Sequence, residues 1–269
     1  MNRNRPLVVA LIVATIGVSA CDAVTGSSGG SPIAVGGIAA RTKGTGFTTA
    51  PEIAFYRVSG ATFVSAAGVT DTCFITTYST ATSTGGTPAT ALSAGPYVSL
   101  AIGNRVDSLT HTGGSLDAVY RTSLPAGIPF TPGDSVVITI PGDRAGYPAS
   151  TFRGRTAEAF TMGQLVVPAN GNPINLTWTP ATDLNAAMFV TFRYIDPTTS
   201  ATAFNRQIAC SFIDDGTGQV PATIATFWIM ATTRDMTAQR VRTILQQIDV
   251  PLAYFNIISA FDWPTPTSP

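Results

Sequence analysis

One histidine, three cysteines and a thin scatter of carboxylates are the residues of this 269-residue chain that could do chemistry. A Ser–His–Asp or Cys–His site would have to use His111, because no second imidazole exists to act as base. His111 stands in Thr110-His111-Thr112-Gly113-Gly114, a strand end running into a turn, with no nucleophile motif around it. It is expected to be an exposed turn residue. No G-x-S-x-G, H-E-x-x-H, C-x-x-C or Walker-type loop occurs. One histidine and two or three cysteines do not make an ordinary zinc centre, and no cofactor is implied. Glycosidase chemistry needs two carboxyl groups facing one sugar. Glu52 and Glu158 are the only glutamates, and the aspartates are dispersed. Adjacent Asp214 and Asp215 would point to opposite faces of an extended chain. As a turn pair they are expected to be structural, with a weak calcium site built from Asp214, Asp215 and a carbonyl near Gly216 as the functional alternative. Trp178, Trp228 and Trp263 could stack on sugars. Trp178 lies at period two with Ile174 and Leu176 and is expected in the core, which leaves Trp228 and Trp263 as candidate binding aromatics.

The third cysteine belongs to a different chemistry. Arg3 and Arg5 precede the apolar or small run Leu7–Val18, and Val18-Ser19-Ala20 places small residues directly before Cys21. That order describes a secretory signal, and its end resembles the lipobox of bacterial lipoproteins. The resemblance implies cleavage before Cys21, a diacylglyceryl group on its thiol and acylation (palmitate or a similar chain) of the new N-terminus. A transmembrane helix is the alternative, but Leu7–Ala20 is about 14 residues and a span needs about 20. An ordinary cleaved signal would leave Cys21 as an odd thiol. The expected location is the cell envelope, lipid-anchored to a membrane. Cys73 and Cys210 would then lie where a disulfide can persist and would close a loop of about 137 residues; two separate buried thiols are the other reading.

Composition narrows the partners. Only 11% of residues are charged, with 15 basic and 15 acidic ones. Loss of residues 1–20 removes Arg3 and Arg5, leaving 13 basic against 15 acidic. Lys43 is the only lysine. So charge-poor a chain is not built to neutralise phosphates, and no nucleic-acid partner is expected. Frequent Gly, Pro, Thr, Ser, Val and Ile favour short strands joined by turns.

The elements that must position these residues follow from alternation and turn signals. Residues 21–50, with Thr25-Gly26-Ser27-Ser28-Gly29-Gly30-Ser31-Pro32 and a Gly-rich stretch from Gly36 to Gly46, read as the lipidated N-terminus and a flexible tether. Strands are expected at 53–58, 61–65, 73–78, 97–102, 116–121 and 135–140, with a last one at 160–167. Pro168-Ala169-Asn170-Gly171-Asn172-Pro173 is a strong turn or linker. Strands at 174–178, 188–195, 207–212 and 253–263 follow. Residues 221–230 fit a short helix or a strand; 238–248 fit either too, with strand favoured by its surroundings. Residues 265–269 read as a tail.

The expected fold is therefore all-β, two β-sandwich modules at 51–167 and 168–264. Leu176-Thr177-Trp178-Thr179-Pro180 followed by Val190-Thr191-Phe192-Arg193-Tyr194 resembles the B and C strands of fibronectin type III and related immunoglobulin-like modules. The resemblance implies a core tryptophan followed by an aromatic-rich strand. The expected role is non-catalytic binding or structure, with an envelope protein or glycan as partner. Two alternatives are an envelope enzyme with a carboxylate or calcium-assisted site acting on polysaccharide, and an accessory lipoprotein of a secretion or assembly machine.

Overall fold

The computed structural model describes residues 31–43, 46–58, 65–78, 90–111, 119–183, 185–249 and 252–263. The leader, Cys21, residues 61–64 of one expected strand and the tail 265–269 lie outside the described residues.

Among the described residues, seventeen strands and one α-helix make an all-β fold. In chain order the strands are β1 (Ser31–Lys43), β2 (Gly46–Thr49), β3 (Glu52–Val58), β4 (Thr72–Thr77), β5 (Thr90–Ala91), β6 (Val98–Ile102), β7 (Arg105–Leu109), β8 (Val119–Arg121) and β9 (Ile128–Phe130). There follow β10 (Ser135–Ile140), β11 (Ser150–Arg155), β12 (Ile174–Thr177), β13 (Ala186–Tyr194), β14 (Arg206–Ile213), β15 (Thr217–Val220), β16 (Arg234–Asp249) and β17 (Leu252–Asp262). The helix α1 (Ala222–Met230) lies between β15 and β16.

One eleven-stranded sheet dominates, in the order β4-β14-β13-β16-β17-β1-β2-β9, with β3 paired to β1, β5 and β8. The long strands β16 and β17 pair antiparallel over eleven positions and run the length of this sheet. Their inward residues belong to two successive cores. Ile244, Phe255 and Ile257 pack against the four-stranded sheet β11-β10-β6-β7, where Val136, Ile138 and Ile140 of β10 alternate inward. Met236, Ala238 and Phe261 pack with Ile174, Leu176 and Trp178 at the β12–β15 ribbon and with Trp228 of α1. The layers are thus those of a sandwich whose one long sheet is faced by two shorter assemblies.

Two expectations change. Residues 31–43 and 46–49 of the expected tether 21–50 are strands: β1 is an interior strand, parallel to β17 (Ile33 opposite Tyr254) and antiparallel to β3 (Ile33 opposite Tyr56), and β2 pairs with β1 and β9. Its small residues are what a crowded central position selects, and composition alone reads them as linker. Residues 160–167 form no strand. Phe160, Met162, Leu165 and Val167 add apolar contacts to the second core, and the only ladder contact there is a single bridge between Met162 and Trp178. Strands from both expected modules share the large sheet, since β4 of the first pairs with β14 of the second. Each core also draws residues from both expected modules: Phe160 lies in the second, Phe255 in the first. The segments likened to B and C strands lie in different sheets, as β12 and β13.

Cys73 and Cys210 stand directly opposite each other on β4 and β14 and are disulfide-bonded. The bond ties β4, which pairs on one side with β14, to the sheet across 137 residues of sequence. Loop-closure entropy alone makes such a link worth about 5 kcal/mol.

Between the two readings of 221–230, the helix is what forms. Pro221 precedes it, where a missing N–H costs nothing. Arg234 closes its other end. The guanidinium donates to the carbonyls of Trp228 and Ile229 and lies 4.8 Å from the Trp228 ring, a cation placed at the negative end of the helix dipole. Ala225 and Trp228 are buried, whereas Phe227 and Met230 are exposed.

Candidate functional site

Where the two cores meet, the inward parity of β16 carries arginines instead of apolar residues. Met236 and Ala238 precede, Ile244 follows, and Arg240 and Arg242 lie between. Arg240 is fully buried. Its Nε donates to Asp214 Oδ2 at 2.6 Å and its Nη2 to Asp214 Oδ1 at 2.9 Å. Nη1 donates to the Ala159 carbonyl at 2.9 Å, and Nη2 also reaches the Thr179 carbonyl. The guanidinium stands 5.2 Å from the Phe160 ring. Asp214 Oδ1 further accepts from Trp178 Nε1 at 2.8 Å and from the Ala181 amide. The turn that aims Asp214 is closed by Gly216, whose φ of 100° suits glycine and whose carbonyl accepts from the Trp178 amide.

A second layer surrounds this pair. Arg242 Nε donates to Asp183 Oδ2 at 2.5 Å, and its Nη1 to the Arg155 carbonyl. Glu158 accepts from the Thr182 amide at 3.0 Å and the Thr182 hydroxyl at 2.5 Å. Partial desolvation pushes the Glu158 carboxyl up, but the two Thr182 hydrogen bonds and the charges of Arg240 and Arg155 outweigh it, and its pKa is lowered. Asp183 is lowered in the same way: desolvation is overcome by the Asn185 amide and by Arg242. Ser259 Oγ bridges the layers, accepting from the Ala157 amide and donating to the Ile38 carbonyl.

The seam can hold charge in place. A general acid needs a carboxyl whose pKa is raised, and Glu158 and Asp183 are shifted the opposite way. Asp214 and Asp215, the weak calcium candidates, do not share a site. Both Asp214 oxygens are taken by Arg240, and Asp215 accepts from the amide and hydroxyl of Thr217 instead. Among the described residues, no group of three His, Cys, Asp or Glu side chains converges as a metal site.

The aromatic candidates also resolve. Trp178 is buried. Trp228 is fully buried, edge-on to Phe192 at 5.2 Å, with Nε1 donating to the Asp235 carbonyl at 3.0 Å; it is not an exposed platform. Trp263 is half-buried and 5.7 Å from Phe160. His111 is exposed at the end of β7, edge-on to Tyr120 at 5.4 Å. Exposed apolar side chains that sequence reasoning passed over include Phe227 and Met230 on α1, and Leu252 and Tyr97 at the opposite end of the long sheet.

No helix among the described residues is long and apolar enough to cross a membrane. No family model, curated protein or solved structure matches this chain.

Proposed function

We propose that the chain is a lipid-anchored protein of the bacterial cell envelope whose sheet-built body binds or supports rather than catalyses. The observation that carries this reading is the order of Arg3 and Arg5, the apolar run Leu7–Val18, and Val18-Ser19-Ala20-Cys21. Acyl chains contribute about 0.8 kcal/mol per buried CH2, so several chains on one cysteine hold a protein on a bilayer without a spanning segment. The Cys73–Cys210 bond supports the reading, because such bonds persist in oxidising compartments. The buried carboxylate Asp214 is held by Arg240 as part of the scaffold, which favours a body that presents a surface. Its partner, an envelope protein or glycan, would be met by strand-end loops or by the exposed side of α1.

Mass spectrometry of the full chain, produced in a host with lipid-transferring enzymes, tests this. The expected N-terminal peptide starts at Cys21 and carries diacylglyceryl and acyl groups, and the protein sediments with membranes. Cys21→Ser should abolish both. An unmodified thiol with the leader intact and the protein in the cytosol would overturn the reading.

A further inference from the structure

The register of β1 fixes which end of the body an anchor at Cys21 would hold. Nine residues lie between Cys21 and Ser31, the first residue of β1. The ten steps from one to the other reach at most about 35 Å. β1 runs parallel to β17 with Ile33 opposite Tyr254. Two residues back along both strands, Ser31 comes level with Leu252, where β17 begins and Asp249 ends β16. The β16–β17 end of the long sheet is therefore the anchored end.

The facing sheet contributes to the same end. Gly154 and Phe152 of β11 lie against Ile244 and Phe255. This orients β11 so that Ser150 points toward the Asp249–Leu252 end, and Ile140 of β10 pairs with Ser150. Ser99 pairs with Thr139, so β6 also starts at this end, just after Tyr97. The turn of residues 141–149 is tied there by Tyr147, whose hydroxyl donates to the Tyr254 carbonyl at 3.0 Å. The exposed residues gathered at this end include Leu252, Tyr97 and Arg144. Helix α1 lies at the other extreme, capped by Arg234 at the far end of β16, and β16 is about 50 Å long at the usual rise per residue.

We propose that the Asp249–Leu252 end of the long sheet rests on the phospholipid surface that carries the anchor, with Leu252 and Tyr97 in the headgroup region and α1 held outward. The proposal rests on lipidation at Cys21. The short reach from Cys21 favours this end over the α1 end, which touches the bilayer only if the body lies flat. A leucine, a tyrosine and an arginine together match the apolar, interfacial and phosphate layers of a membrane surface. Asp143 and Asp249 share this end, so the attraction comes from the tether and the apolar side chains and not from net charge.

The test uses the lipidated full chain in phosphatidylethanolamine–phosphatidylglycerol vesicles containing a headgroup-nitroxide lipid. A bimane label is attached at Leu252→Cys, at Leu245→Cys as a second position near the same end, or at Met230→Cys on α1. Each variant is first checked for the intact Cys73–Cys210 bond and for flotation with vesicles. Failure to float sinks lipidation and leaves orientation unaddressed by that sample, so the same variants are then anchored through a maleimide lipid at Cys21 and read again. Strong quenching at position 252, weaker at 245 and none at 230 is the expected result. Equal quenching at 252 and 230 means a body lying flat. Quenching at neither in a floating protein means a body standing clear of the surface. Label emission already blue-shifted without vesicles means that a second copy covers this end. Any of these three overturns the proposal.

Discussion

Gly36 of β1 stands directly opposite Ile257 on the neighbouring strand β17, and the space beside it admits no side chain. A Cβ on Gly36 would stand 2.9 Å from Ile257 Cδ1 and 2.3 Å from the Glu52 carbonyl. The neighbouring Gly37 has open space, its nearest contact being the Ile258 carbonyl at 3.8 Å. Gly36→Ala should therefore lower stability by about 1–3 kcal/mol, the usual range for overpacking. Gly37→Ala should leave stability unchanged or raise it slightly. Urea unfolding of the two variants checks the pair; equal effects would mean that β1 is not wedged between β3 and β17.

Among the described residues, Asp214 is the only carboxylate bonded to Arg240. Asp214→Asn leaves a buried guanidinium without its counter-charge, which is expected to cost about 3–5 kcal/mol. Replacing both members by apolar residues, Asp214→Leu with Arg240→Met, should recover much of that loss, because neither charge then has to be desolvated. Trp178→Phe deletes one donor to Asp214 and should cost about 1–3 kcal/mol. A double-mutant cycle read by chemical denaturation gives the coupling. Additive losses would show that the two side chains do not act as a pair.

The lowered carboxyls of Glu158 and Asp183 give the stability curve an acid limb. Each is more acidic in the folded state than its ordinary value of 4.5 or 3.8. Their contribution is present in full above those ordinary values and is lost as pH falls through the lower folded ones. The unfolding free energy should hold steady from about pH 7 to about pH 5 and fall below about pH 4. Thr182→Val removes the hydroxyl donor to Glu158 and should make that fall shallower. A curve identical to the parent's would assign the acid limb to other groups.

Much of the sheet architecture is legible in sequence because alternation survives where a strand has one face in a core. β10 and β12 read directly as Val136, Ile138, Ile140 and Ile174, Leu176, and Trp178 was recognisable as core from the same period. β1 escaped for a physical reason. An interior strand flanked by Ile53 and Ile257 leaves its own inward side chains little room, so that parity is Ala34, Gly36, Ile38 and Ala40, and small residues look like linker. Residues 160–167 erred the other way: Phe160 with Met162 and Leu165 with Val167 each repeat at the period of a strand, but they fill the second core from an unladdered segment. The charged seam left one trace in the sequence. Arg240 and Arg242 occupy the parity that Met236, Ala238 and Ile244 mark as inward, and a charge on the apolar parity of a strand is a sign that a buried partner exists. Asp214, 26 residues away, could not be named as that partner without the register that brings β14 beside β13 and β13 beside β16.

The parallel pairing of β1 with β17 sets a time order on the molecule. The first described strand finds its neighbour in the last one, so the middle of the sheet cannot close until β17 has been made. A nascent chain that stops short of β17 has no template on which Ile33 to Ala40 can settle, and the sheet locks only after Tyr254 to Phe261 have emerged.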